Sequence, residues 1–274
     1  MAADGDIQGG AGALALGLVH SKTSGHGCFA LLPTASALLA PPADAIGIFE
    51  IDRFMQRARR MRKSVITGAR LHVNEAAASG FRGSWVMLTT TYADDADAQP
   101  YDVSALLKRM RRWFDRACAR RYGRGGPVFR YEWVLELTRR LRPHYHLLFW
   151  LPTGIWFPKP DNVGWWTKGS TRIEAAKNAV GYIAKYASKF VDACAAALPK
   201  GLRTHGVGGL NPESKREMRW WKSPTEAREA LGESADIRKT NGGYFDKRTG
   251  EFWPSPWHVF FTPDGRIFAW RNPA

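Results

Sequence analysis

Residues 131–150, "YEWVLELTRRLRPHYHLLFW", decide how this chain is read. Two apolar, aromatic-rich runs flank a short basic segment that ends in Pro143, the pattern of two strands joined by a tight connection. Burying ionisable side chains in such strands costs free energy. Yet Glu136, His144 and His146 stand inside the runs. Strand side chains alternate between faces, so His144 and His146 point the same way as Leu148 and Trp150, while Glu132, Val134, Glu136 and Thr138 share a face of the preceding strand. If the hairpin closes through residues 139–143, Glu136 sits opposite His144, and directly paired residues project to the same side. Three potential ligands then converge with open positions left over. Two imidazoles and one carboxylate suit Mg²⁺ or Mn²⁺ in a site that also takes phosphate oxygens. A lone His-x-His on a strand is usually two ordinary histidines, as we read His20, His26, His72, His205 and His258, so the reading depends on its company.

That company begins with "GYIAKYASKF" at 181–190. Tyr182, Tyr186 and Lys189 recur at i, i+4 and i+7 and share one helix face. Ile183, Ala187, Phe190, Val191 and Cys194 form a separate apolar stripe, so a helix from about Ile173 to Cys194 can pack on a sheet and still present its tyrosines. Taken alone, both tyrosines would be packing residues. Beside a divalent-ion hairpin they acquire a chemical use. A tyrosine hydroxyl is mostly protonated at neutral pH and a weak nucleophile. A metal that polarises a phosphodiester lowers the activation it needs, and Lys185 or Lys189 can stabilise the developing charge.

Charge supplies the substrate class. The 274 residues hold 40 Lys+Arg against 25 Asp+Glu, a net charge of +15, which points to a polyanion partner. The chain's 12 Trp suit base stacking as well as a core. Cys28, Cys118 and Cys194 are odd in number and form no C-x-x-C pair, which argues against a disulfide framework or zinc ribbon and for a reducing cytoplasm. The start lacks the basic flank of a signal peptide, the apolar run near Pro33 is too short for a bilayer, and no phosphate-binding loop of a nucleotide motor occurs.

Four regions emerge. Residues 1–46, rich in Ala, Gly and Pro, read as a flexible leader. Residues 47–80 read as a basic helical extension whose Arg57 and Arg60 can track a DNA backbone. Residues 81–200 read as the core: a strand over 84–92, a helix over 101–122 that presents Arg109, Arg112 and Arg116, strands over 128–138 and 144–151, and the tyrosine helix. Residues 201–274 read as an extension with turn signals ("GVGG", "NGG", "PDG") and two late strands, "HVFF" and "RIFAW". The fold class is α+β, an antiparallel sheet of about five strands with the hairpin central and helices packed on one face.

Together "VMLTTTY", "PHYHLLF" and "YIAKYASK" resemble motifs 1, 2 and 3 of the HUH endonucleases, over roughly residues 84–192. The histidine pair before the tyrosines resembles rolling-circle replication initiators of phages and plasmids rather than conjugative relaxases. By position, His144 and His146 match the metal-binding pair, Glu136 the third ligand, Tyr186 the nucleophile, and Tyr182 the extra tyrosine of two-tyrosine members. Leu141 departs from the Gly that relatives often carry three residues before the first His. The resemblance implies a ferredoxin-like or RRM-like sheet. It implies nicking of single-stranded or extruded origin DNA through a 5′-phosphotyrosine link, with a host helicase and polymerase as partners in a bacterial cytoplasm and no nucleotide cofactor or membrane. The alternatives are a single-strand transposase of the same superfamily and a non-catalytic DNA-binding regulator.

Overall fold

The computed structural model describes residues 46–138, 140, 142–189 and 201–271. In chain order the elements are β1 (Ile46–Glu50), α1 (Arg53–Ala78), β2 (Gly83–Tyr92), α2 (Asp102–Tyr122), β3 (Tyr131–Leu137), β4 (Pro143–Pro152), β5 (Gly169–Ala175) and α3 (Ala179–Lys189). They continue with β6 (His205–Gly208), α4 (Pro212–Lys222), α5 (Thr225–Leu231), β7 (Ile237–Thr240), β8 (Gly243–Asp246), β9 (Phe252–Pro254), β10 (Trp257–Phe261) and β11 (Ile267–Arg271). Residues 1–45, the body of the expected leader, lie outside the described residues, as do 190–200 with Phe190, Val191 and Cys194.

The main sheet is antiparallel with strand order β5-β2-β4-β3-β6. The α+β architecture read from the sequence holds, and the hairpin is central, β4 occupying the middle. Its register pairs Glu136 with His144 and Val134 with His146. Thr138 and Arg142 close the turn: the Thr138 amide donates to the Arg142 carbonyl at 2.9 Å, and the Arg142 amide donates to Thr138 Oγ1 at 3.1 Å.

Helices cover both faces of this sheet, where the sequence reading expected one. The cause is the alternation along β4. Tyr145, Leu147 and Phe149 pack on one side with Val103, Leu106, Met110 and Phe114 of α2. On the other side Leu148 packs with Met87 and Val134 under α1 and α3, which contribute Ala58, Met61, Val65, Ala69, Ile183 and Ala187. Both sides are apolar, so both need a helical layer.

The helix expected from Ile173 starts later. Residues 169–175 form β5, an edge strand in register with β2, Ile173 opposite Leu88 and Thr171 opposite Thr90. The turn into α3 is set at Asn178, whose Oδ1 accepts the Gly181 amide at 2.9 Å. "GVGG", read as a turn signal, instead supplies the fifth strand: β6 pairs with β3, Val207 opposite Glu132 and His205 opposite Val134.

α1 opens with Asp52 as its cap, Oδ1 accepting the Phe54 and Met55 amides at 2.8 and 2.9 Å. Two small sheets complete the chain, β1-β11-β10 and β7-β8-β9. The late strands expected at "HVFF" and "RIFAW" are β10 and β11, joined through the expected "PDG" turn.

Candidate functional site

The α1/α3 side of the sheet carries the ionisable row. Adjacent pairing puts Thr91, His144 and Glu136 in one row and Thr89, His146, Val134 and His205 in the next. His146 is buried, and both its ring nitrogens are engaged. Nε2 lies 2.7 Å from Glu136 Oε2, and Nδ1 lies 3.0 Å from Thr89 Oγ1. A carboxylate only accepts, so with Nε2 protonated towards Glu136, Nδ1 accepts from the Thr89 hydroxyl. Thr89 was not singled out from the sequence. Its signal is its place in the first threonine-rich strand, directly opposite His146, which only the register reveals.

Over this row lies α3. The Tyr186 ring stacks on the His146 imidazole with centroids 3.6 Å apart and planes 13° apart. Lys185 Nζ stands 6.0 Å from the centre of the same ring, at the outer limit of a cation–π contact. Tyr182, one turn earlier, is 37% exposed, so the two tyrosines occupy different surroundings. The side chain of Lys189 lies outside the described residues.

His144 stands apart from this contact, its ring centroid 6.4 Å from that of His146. Burial chiefly, with His146 adding to it, lowers the His144 pKa against the opposing pull of Glu136. A neutral imidazole is the form that ligates metal. Among the described residues no three His, Cys, Asp or Glu side chains are gathered as a metal group. The donor chemistry fits a hard divalent ion in part. The 2.7 Å between His146 Nε2 and Glu136 Oε2 is close to the separation of neighbouring donors on an octahedral ion with bonds of about 2.1 Å. His144 shares the face but is not drawn into that pair.

Beneath α1 the same face becomes apolar and includes a second carboxyl. Glu132 is 1% exposed, and neither of its oxygens has a hydrogen-bond partner. Burial raises its pKa well above the usual carboxylate range, so it is held as the acid. Gly68 of α1 makes the space: a Cβ there would lie 2.7 Å from Glu132 Oε1. Further along, buried Glu75 pairs with Arg130 and accepts the Asn211 amide at 3.0 Å, tying α1 to the segment before α4.

The five arginines expected to hold DNA do not form one surface. Arg57 and Arg60 lie on α1, above the ionisable face; Arg57 Nη2 donates to the Leu202 carbonyl at 2.7 Å and Arg60 Nη2 to Gln56 Oε1 at 2.6 Å. Arg109, Arg112 and Arg116 are exposed on α2, in the layer on the opposite side of the sheet. Arg109 Nη1 donates to the Trp165 carbonyl at 2.7 Å. Cys118 is a buried free thiol, pushed up to about 11 mainly by burial.

This arrangement belongs to a region with a recognisable relationship. Residues 85–191, about two fifths of the chain, match the family model for replication-associated protein of the ORF2 type, which supports a role as a replication initiator. The matched span runs from β2 to just past α3 and contains Glu136, both histidines and both tyrosines. No curated protein and no solved structure matches the chain. Among the described residues no helix is long and apolar enough to cross a membrane.

Proposed function

We propose that the chain is a rolling-circle replication initiator that nicks single-stranded or extruded origin DNA with Tyr186. The observation that carries this reading is the contiguous set Thr89–His146–Glu136 with the Tyr186 ring laid upon it, inside the segment that matches a replication-associated family. Tyr186 Oη attacks the scissile phosphorus and loses its proton. The P–O3′ bond breaks, the 3′ oxygen leaves and gains a proton, and the 5′ phosphate stays on the tyrosine. The free 3′-OH is the primer. The phosphotyrosine ester conserves the bond for later rejoining, in which Tyr182 serves a second cleavage.

His146, Glu136 and His144 are the residues that would hold a divalent ion, Mg²⁺ or Mn²⁺. Bound there it would supply positive charge at the scissile phosphate. The chain's own groups prepare that state. Thr89 sets the His146 tautomer: when Nε2 turns its lone pair outward, Nδ1–H donates to Thr89 Oγ1. The imidazole face limits where the Tyr186 ring can lie, and Lys185 beside it favours the phenolate. The reading places the protein in a bacterial cytoplasm, with a host helicase and polymerase as partners.

The test is direct. Full-length protein is mixed with a single-stranded origin oligonucleotide and Mn²⁺ and run on a denaturing gel. A shifted band that resists detergent and disappears on protease treatment is the expected adduct. Cleavage without any covalent species would rule out the tyrosine mechanism.

A further inference from the structure

Outside the matched segment, α1 and the C-terminal region enclose a cleft of about 540 Å³. Six cations line it from three elements: Arg60 and Lys63 of α1, Arg219 and Lys222 of α4, Arg238 and Lys239 of β7. No carboxylate is among its lining residues. Asp236 answers part of the charge from one side, its two oxygens 2.6 Å from Arg219 Nη2 and 3.2 Å from Arg238 Nη2. One carboxylate thus serves two guanidiniums, and the cleft stays strongly positive.

The lysines carry a penalty for this arrangement. Burial lowers the pKa of both Lys63 and Lys222, and Arg228 lowers that of Lys63 further. Crowded cations with partial desolvation oppose folding unless an anion relieves them. The spacing of cations over both walls suits a ligand that brings several charges along its length. Tyr244, also in the lining, adds a ring on which a base can stack.

The cleft also connects with the candidate site. Lys222, from its lining, and Arg57 both act electrostatically on His205. His205 is paired with Val134, which is paired with His146. Positive potential therefore extends from the cleft along α1 to the edge of the ionisable row.

We propose that this cleft is a second nucleic-acid site, one that grips the phosphate backbone of single-stranded DNA flanking the nick. It shares with the nicking reading only the choice of DNA as partner, and its test needs no cleavage.

Full-length protein in EDTA is titrated into fluorescein-labelled dT20 over a series of KCl concentrations. The variant Lys63→Gln/Lys222→Gln/Lys239→Gln should flatten the slope of log affinity against log salt by about 2, at about 0.7 per lost phosphate contact. Its affinity at the lowest salt should fall at least tenfold. With fewer cations repelling one another, the variant should melt higher than wild type without DNA and gain less from added dT20. The Lys→Arg triple variant should keep the wild-type slope. An unchanged slope in the Gln variant overturns the proposal, as does an equal loss in the Arg variant, which would mean shape rather than charge. Loss of rU20 binding with dT20 binding intact also overturns it, because the ligand would then be RNA. With EDTA present, failure here leaves the tyrosine mechanism standing, and a failed adduct assay leaves this cleft standing.

Discussion

The phenol ring of Tyr186 lies flat on the imidazole of His146, 3.6 Å between centroids. The stack belongs to the ring and the proposed chemistry to the hydroxyl, so substitution can separate them. Tyr186→Phe keeps the stack and should reduce initial adduct formation by about two orders of magnitude or more, with the melting temperature unchanged. Tyr186→Ala should lose the adduct and also melt lower. A Tyr186→Phe protein that still forms adduct at the wild-type rate would reassign the nucleophile.

Tyr182 predicts a different defect. It is more exposed than Tyr186 and not in the His146 stack, so Tyr182→Phe should nick once at the normal rate and then fail to complete strand transfer. Peptide mass spectrometry of trapped adducts distinguishes the two. Normal turnover through many rounds would make this a one-tyrosine enzyme.

For the ion site, His144→Ala or His146→Ala should abolish cleavage while binding of unrelated single-stranded DNA persists, because affinity comes mainly from phosphate contacts. Glu136→Gln should raise the Mn²⁺ concentration needed for cleavage rather than remove the activity. A double histidine variant with wild-type cleavage would exclude a metal role for the pair.

Gly68 and Glu132 should behave as a coupled pair. Alanine at an exposed helical glycine is worth up to about 1 kcal/mol in favour of folding. Here the new Cβ would lie against a buried carboxyl, so Gly68→Ala should destabilise wild type. In a Glu132→Ala background the same change should become neutral or stabilising, readable as the non-additivity of urea midpoints.

pH adds two opposing limbs. The folded pKa of Glu132 is raised, so its contribution is full below the unfolded value of about 4.5 and declines as pH rises above it, by up to about 1.4 kcal/mol per unit. Glu132→Gln should remove that decline. His72 is wholly buried; burial first, then Arg130, holds its pKa down to about 4 against the weaker pull of Glu75 and of the Tyr131 carbonyl. Its contribution is full above about 6.5 and falls away as the pH drops towards 4, by roughly 3 kcal/mol in all. His72→Gln should therefore lose less stability than wild type between pH 6.5 and 4.5. Parallel curves for the two proteins would contradict the assignment.

The hairpin was legible because its offset is arithmetic: a short closure before Pro143 leaves few registers, and one puts Glu136 opposite His144. The helices were legible from their apolar spacing. β5 was not, because "RIEAAKNAV" contains strong helix formers, and pairing with the free edge of β2 overrides that preference. β6 was hidden by its glycines. A Cβ at Gly206 would lie 2.5 Å from the Trp133 indole and one at Gly208 2.3 Å from the Tyr131 ring. The glycines mark rings crossing a strand rather than a chain reversal. Thr89 became a site residue only through its neighbour across the sheet.

Covering one sheet face from outside the matched span has a practical consequence. A fragment trimmed to residues 85–191 would keep the glutamate, both histidines and both tyrosines, yet lack α1 and β6. Met87, Val134 and Leu148 would lose Met61, Val65 and Ala69 from above them, and Glu132 would meet water and ionise. The open edge of β3 would be free to recruit the same edge of another molecule. The smallest autonomous piece of this protein is therefore larger than the segment by which its kinship is recognised, and extends from α1 at least through β6.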